Sequence, residues 1–194
     1  MKQLIAYTGP VHSEKSTLAL RAASRHKRLK KLVVLLRPIQ SIRPDPDNPE
    51  AGDRVGMLVT KNGEEFPSRD TAYARDMHAF TDGAHVVWID EPQLWPDEVE
   101  VYDAVRRIRR RSLVIVSGLS ATSELEPFGS SMPRLLAVAD EIVLCKADCD
   151  ACATFGIASR SRYVGAEPKQ GQVKVGGAQV YDANCPSCWT SALT

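Results

Sequence analysis

The sequence predicts an α/β protein: a doubly wound, mainly parallel sheet that binds phosphate at a strand end, followed by a small metal-stapled C-terminal domain. Three observations predict it. Apolar runs of strand length alternate with stretches of helical periodicity. A strand-like LIAYT passes directly into GPVHSEKST, residues 9 to 17, and then into a helix-like LALRAASRH. Four of the five cysteines form two Cys-x-x-Cys pairs near the C-terminal end.

Leu4 to Thr8, Leu32 to Leu36, Val86 to Asp90 and Leu113 to Ser117 are short apolar runs, the kind buried on both faces of a parallel sheet. Between them, Ser16 to Lys30 sets Leu18, Leu20, Ala22 and Leu29 among basic residues, and Val99 to Arg110 places Val101, Val105 and Ile108 at helical spacing. RPDPDNPEAGD, residues 43 to 53, holds three prolines and four acidic residues, which predicts an exposed, mobile loop that need not fold. After Val143 the pattern shifts to polar, cysteine-bearing sequence. The predicted domains are therefore a phosphate-binding unit over 1–144 and a metal-binding unit over 145–194.

A chain of 194 residues with 43% hydrophobic content suits one sizeable core plus an appendage. Its net charge of +1 lacks the strong basic field of a dedicated nucleic-acid binder. No stretch approaches the ~20 apolar residues of a membrane span, and MKQLIAYTGP enters the loop without a leader's apolar region or cleavage site. The expected compartment is the cytoplasm, with no membrane partner. There the cysteine pairs are better explained by metal than by disulfides.

GPVHSEKST matches the phosphate-loop pattern G-x-x-x-x-G-K-[ST] at Gly9, Lys15 and Ser16, with Glu14 where the second glycine belongs. Such a loop curls backbone N–H groups around phosphate oxygens; its Lys adds a cation and its Ser a magnesium ligand. An ordinary strand-to-helix turn is the plainer reading of an isolated Lys-Ser. What favours phosphate is the second signal, VVWIDEPQLW, where a buried strand ends in Asp90 and Glu91. An Asp at that point helps hold magnesium, and the neighbouring Glu can take a proton from an attacking hydroxyl.

Cys149 and Cys152 with Cys185 and Cys188 would supply a closed tetrahedral zinc site of structural type; free or redox-active thiols are the alternative. Cys145 is left over as a buried small hydrophobe. His12 either touches substrate or packs. The basic runs Arg25 to Lys31 and Arg106 to Arg111 each fall on an expected amphipathic helix, where a solvated face explains them.

Taken in order, GPVHSEKST, IDEPQL, GLSATSELEPF and KVGGAQVYDANCPSC resemble the thymidine kinase family of the P-loop, zinc-ribbon type, whose corresponding segments read GPMFSGKST, IDEAQF, GLDxDFxxxPF and IGGxxxYxxxCRxC. The resemblance covers nearly the whole chain. It implies transfer of the ATP γ-phosphate to the 5′-hydroxyl of thymidine or deoxyuridine. Carried over by position, Gly9, Pro10, Ser13, Lys15, Ser16 and Thr17 would bind ATP, Asp90 would join Ser16 at Mg2+, and Glu91 would be the base. The segment between the cysteine pairs would close over the nucleoside as a lasso, with Gln172, Val173, Val175, Gly176 and Tyr181 lining the base pocket together with Leu94. Arg160, Arg162 and Tyr163 would steady it, and the four cysteines would hold structural Zn2+. A homo-oligomer, commonly a tetramer, is implied.

The chain departs from the family at Glu14, at Ser41 in place of an Asp, and at His12, Leu94 and Ser123 in place of aromatics. An anionic side chain beside the phosphates would cost on the order of a few kcal/mol, and a positive φ at that position would add strain. Two other functions therefore stand beside the kinase: a catalytically impaired relative that binds a nucleotide or partner without turnover, and a zinc-ribbon nucleic-acid-binding module, against which the near-neutral charge argues.

Overall fold

The strict alternation of side chains along the central strands decides which helix covers which face. In the structure, a computed structural model that describes residues 1–43, 52–165 and 180–191, the strands are β1 (Leu4–Thr8), β2 (Val33–Pro38), β3 (Met57–Val59), β4 (Glu65–Thr71), β5 (Val86–Asp90), β6 (Leu113–Gly118) and β7 (Glu141–Leu144). They form one sheet in the order β3-β4-β2-β5-β6-β1-β7, parallel except for the edge strand β3. Leu4, Ala6, Val87, Ile89, Val114 and Val116 point to one face, where Val101, Val105 and Ile108 of α2 (Val101–Ile108) and Met132 and Leu135 of α3 (Ser131–Ala137) bury them. Val86, Trp88 and Ile115 point to the other, against Ala19, Leu20 and Ala23 of α1 (Lys15–Arg28). With helices on both faces, this is the doubly wound sheet expected.

The differences from expectation are local. α1 starts one residue earlier and ends two earlier than the apolar spacing suggests, and α2 begins at Val101 behind a 3₁₀ turn, Glu98–Glu100. Glu98 fastens the next segment: its carboxylate accepts the Ser130 and Ser131 N–H groups at 2.9 and 2.6 Å, which caps the entry to α3. Strands β3, β4 and β7 have no clear sequence signal. Residues 44–51 of the expected mobile loop lie outside the described residues, but its end is anchored rather than free: Asp53 accepts from Arg37 Nη1 at 2.5 Å and from the Val59 N–H at 3.0 Å.

That anchor belongs to a buried ion network. Arg37, only 1% exposed, also donates to Asp70 at 2.6 Å and to the carbonyls of Arg54 and Met57. Burial alone would push the Asp70 carboxyl up; the Arg37 guanidinium, the Gly56 N–H and the Ser68 hydroxyl hold it below its ordinary 3.8. A depressed folded-state value contributes stability that is full above the unfolded value and is lost as pH falls through the folded one. Arg37→Met, which strands two buried carboxylates, is expected to cost about 3–5 kcal/mol in urea unfolding at neutral pH and to flatten the loss of stability below pH about 4. An unchanged midpoint would remove the network from the fold's support.

The C-terminal unit pairs β8 (Arg160–Tyr163) with β9 (Tyr181–Asn184) in antiparallel register, followed by a short α4 (Pro186–Ser191). Its core is Ala147, Cys149, Ala158, Ala183 and Cys185, and Val11 of the phosphate loop packs into it.

Candidate active site and metal centre

The parallel strands deliver their C-terminal ends to one edge, and the candidate residues follow from the register there. Asp90 sits opposite Ser117, and Tyr7 opposite the same Ser117, so the loop after β1 and the carboxylates after β5 flank β6. Gly9 leaves β1 where a Cβ would lie 2.1 Å from the Cys145 carbonyl oxygen, so no larger residue fits. The loop then turns through left-handed backbone at His12 (φ 64) and Glu14 (φ 56) before α1 begins, the kind of alternating backbone that can gather N–H groups around an anion.

Glu14 thus adopts the positive φ that makes the second glycine useful, at a cost of about 1 kcal/mol or more for a side chain there. Its side chain is exposed. Lys15 is buried, with Nζ donating to the Pro10 carbonyl at 2.6 Å and lying 3.4 Å from Ser13 Oγ. Burial pushes its ammonium below the usual lysine value, while Glu91 and Asp90 oppose that.

Asp90 is the most constrained acid of the site. Ser16 Oγ and Ser117 Oγ both donate to its Oδ1, at 3.0 and 2.5 Å, and Ser117 in turn accepts the indole N–H of the fully buried Trp88 at 2.7 Å. Burial, and then the neighbouring Glu91, push the Asp90 carboxyl up to about 7 despite those hydroxyls. A hydroxyl on a buried carboxylate is the donor set that magnesium takes, and a cation there would return Asp90 to its charged form. Glu91, at φ 49, is turned out of the strand by its own left-handed backbone while its N–H holds the Ser117 carbonyl at 2.7 Å. Its Oε2 accepts from the Gln93 amide, and its Oε1 lies 3.7 Å from Arg43.

Ser13, Lys15, Ser16, Thr17, Asp90 and Glu91 all line one cavity of about 540 Å³. A larger hollow of about 640 Å³ lies at the opposite ends of the strands, beside Ile108 and Ser112, and holds none of these groups. Gly9 and Pro10 support the loop from behind. Leu94 is half-buried in the 3₁₀ turn Pro92–Leu94, and Tyr181 stacks edge-on against Tyr163 at 5.4 Å; neither is on the cavity wall. Gln172, Val173, Val175 and Gly176 lie outside the described residues. His12 also lines this cavity, with its ring 3.6 Å from Asp150 of the C-terminal unit.

Sequence reasoning assigned no role to Gln93, Ser117 or Lys61. Gln93 is visible in the DE-x-Q pattern, but its bond to Glu91 is not. Ser117 and Lys61 carry no motif, and only the register and the hairpin bring them to the site.

The sulfurs of Cys149, Cys152, Cys185 and Cys188 lie within 4.8 Å of one another. The Cys185 N–H points at Cys149 Sγ (3.2 Å) and the Cys188 N–H at Cys185 Sγ (3.5 Å), the backbone-to-thiolate support a metal knuckle needs. The Cys185 N–H leads in holding the Cys149 thiol down to about 6, whereas hydrogen bonds with the neighbouring sulfurs push Cys188 up to about 12. Four sulfurs this close do not ionise together without a cation, and a four-thiolate set suits zinc. Cys145 stands apart, buried, its thiol pushed up by that burial. Among the described residues no helix is long and apolar enough to cross a membrane.

Comparison with known proteins agrees with this geometry. A family model described as thymidine kinase matches residues 2–189. The chain is 30% identical over 180 residues to a thymidine kinase of Mycoplasma genitalium, covering 91% of this chain and 78% of that one. It is 32% identical over 145 residues to one from Roseiflexus sp., covering 72% and 74%, and 28% identical over 187 residues to a cytosolic thymidine kinase of Gallus gallus, covering 96% and 76%. Among solved structures, a DNA replication initiation factor is similar at a TM-score of 0.45 and 11% identity over 76% of this chain and 41% of that one, too distant to bear on function. Phosphate loop, paired carboxylates and cysteine cluster therefore share one explanation: the chain belongs to the thymidine kinase family.

Proposed function

We propose that this chain transfers the γ-phosphoryl group of ATP to the 5′-hydroxyl of thymidine, a step of nucleotide salvage, and that deoxyuridine or a related deoxynucleoside is the alternative acceptor. The observation that carries the reading is the convergence of Lys15, Ser16, Asp90 and Glu91 on one cavity, with Ser16 bonded to Asp90. The loop N–H groups and the Lys15 ammonium hold the donor phosphates, and Ser16 and Asp90 would hold a magnesium ion, which would neutralise phosphate charge when bound. Glu91, fixed by Gln93 and its own backbone, takes the 5′-hydroxyl proton as that oxygen bonds to the γ-phosphorus; the bond from γ-phosphorus to the bridging oxygen breaks and ADP leaves.

In this reading the four cysteines hold structural zinc, and the segment between β8 and β9, whose ends meet where the Val164 N–H bonds the Val180 carbonyl at 2.9 Å, closes over the nucleoside. The Arg160–Tyr163 strand steadies it. The enzyme is cytoplasmic and assembles as a homo-oligomer, a tetramer by similarity to its family, and residues 1–144 and 145–194 are its two domains. Glu14 favours the second reading, binding without turnover; its exposed side chain favours the first. The deciding assay supplies zinc-loaded protein with magnesium, ATP and a panel of nucleosides. Thymidine 5′-monophosphate is the expected product, and the formation of no 5′-monophosphate from any nucleoside of the panel would sink the kinase reading.

A further inference from the structure

The cavity is built for a polyanion, yet its wall carries more acids than bases: Glu14, Asp53, Asp90 and Glu91 against Lys15, Arg43 and Lys61. Most of these charges are already matched. Asp53 is held by Arg37, Glu91 faces Arg43, and Asp90 takes two hydroxyls beside the Lys15 ammonium. Glu14 remains, in the middle of the phosphate loop.

Lys61 comes to the same wall from a different part of the chain. It sits in the turn between β3 and β4, which is internally tied: the Thr60 N–H bonds the Glu64 carbonyl at 2.9 Å, the Gly63 N–H bonds the Thr60 carbonyl at 2.9 Å, and the Glu64 N–H bonds Thr60 Oγ1 at 3.1 Å. The turn is also fastened to α1, the helix that the phosphate loop opens, through Arg21 Nε to Glu64 Oε1 at 3.2 Å. Turn, loop and helix therefore form one frame. Lys61 shares the cavity wall with Glu14 and Arg43, and Asp150, whose charge also acts on Lys61, is already engaged by the Ala183 N–H at 2.6 Å and by His12.

We propose that Lys61 is the residue that lets this chain carry Glu14 in its phosphate loop: its ammonium offsets the Glu14 carboxylate, so that the donor phosphates meet no uncompensated negative charge there. The inference rests on the kinase reading for the identity of the donor. It makes Glu14 and Lys61 a linked pair, so that neither substitution is interpretable without the other. A glycine in the loop would need no such partner.

A double-mutant cycle on the full-length, zinc-loaded protein tests this. Wild type, Lys61→Met, Glu14→Gly and the double variant are titrated with magnesium and a non-hydrolysable ATP analogue, and thymidine phosphorylation is followed in parallel. Methionine keeps the aliphatic stem and removes the charge. Lys61→Met is expected to weaken analogue binding about tenfold in wild type and about twofold or less when Glu14 is glycine. The Tm and the KM for thymidine stay near wild type, and Lys61→Arg restores binding. Equal losses in both backgrounds would overturn the coupling while leaving the kinase reading intact. Wild type that binds the analogue only after Glu14→Gly would also overturn it, because Lys61 would then fail to offset Glu14. Tight analogue binding with no phosphorylation of any nucleoside would instead remove the kinase reading, and the cycle would still decide the pair.

Discussion

Glu91→Gln is expected to lower kcat for thymidine phosphorylation by about 10²–10⁴-fold, the range lost with a general base, while the KM for ATP changes little. The asymmetry follows from the site. Glu91 shares the cavity with the phosphate loop, but the bonds that shape that loop run through Pro10, Ser13 and Lys15. What holds residue 91 is its N–H on the Ser117 carbonyl, which an amide side chain leaves in place. Glutamine is isosteric and can still accept from Gln93, so the pocket keeps its form and loses its proton acceptor. The measurement is steady-state kinetics with both substrates varied, together with Tm. A variant that retains more than about a third of wild-type kcat would move the base elsewhere.

Removing the metal is expected to have the largest effect on the folded state. Chelation at neutral pH, or Cys185→Ser, should release one zinc per chain and lower Tm by tens of degrees, since structural zinc contributes apparent binding energies of about 10–16 kcal/mol in small domains. The damage should not stop at the C-terminal unit. Val11 packs on the Ala147–Cys185 cluster, and the Val11 N–H donates to Ser161 Oγ at 3.0 Å. One wall of the phosphate loop therefore rests on the unit that carries the four cysteines, and ATP-analogue binding should weaken at least tenfold in metal-free protein. Metal content, thermal unfolding and analogue titration on the same sample check this. A zinc-free chain that melts normally and binds the analogue as before would show that the cysteines staple nothing.

How much of this was legible follows from where each signal is stored. β1 and β5 were readable to the residue because both faces of a central parallel strand are buried, leaving an unbroken apolar run. β4 was not: EFPSRDT contains a proline and buries Ser68 and Thr71, and β7 is a short, mostly exposed edge strand. Lys15, Ser16, Asp90 and Glu91 were legible because the chemistry needs those types beside one strand end each, a local pattern. The Arg37 network was not, since its partners are scattered and any one of them looks like a surface charge in the sequence. Glu14 was seen as an anomaly from the pattern alone. Its setting became readable only when the hairpin turn put Lys61 on the same cavity wall.

The hydrogen bond from Val11 to Ser161 spans 150 residues. The phosphate loop leaves the ribosome well before the buttress that Ser161 supplies. At synthesis rates of about 5–20 residues per second, the loop waits many seconds for that partner. During that interval the nascent chain can assemble β1 with β6 and β7 while its nucleotide pocket still lacks a wall. The first-made part of the site is thus finished last, and a chain broken off before its cysteine pairs would keep its motif and lack the loop that the motif describes.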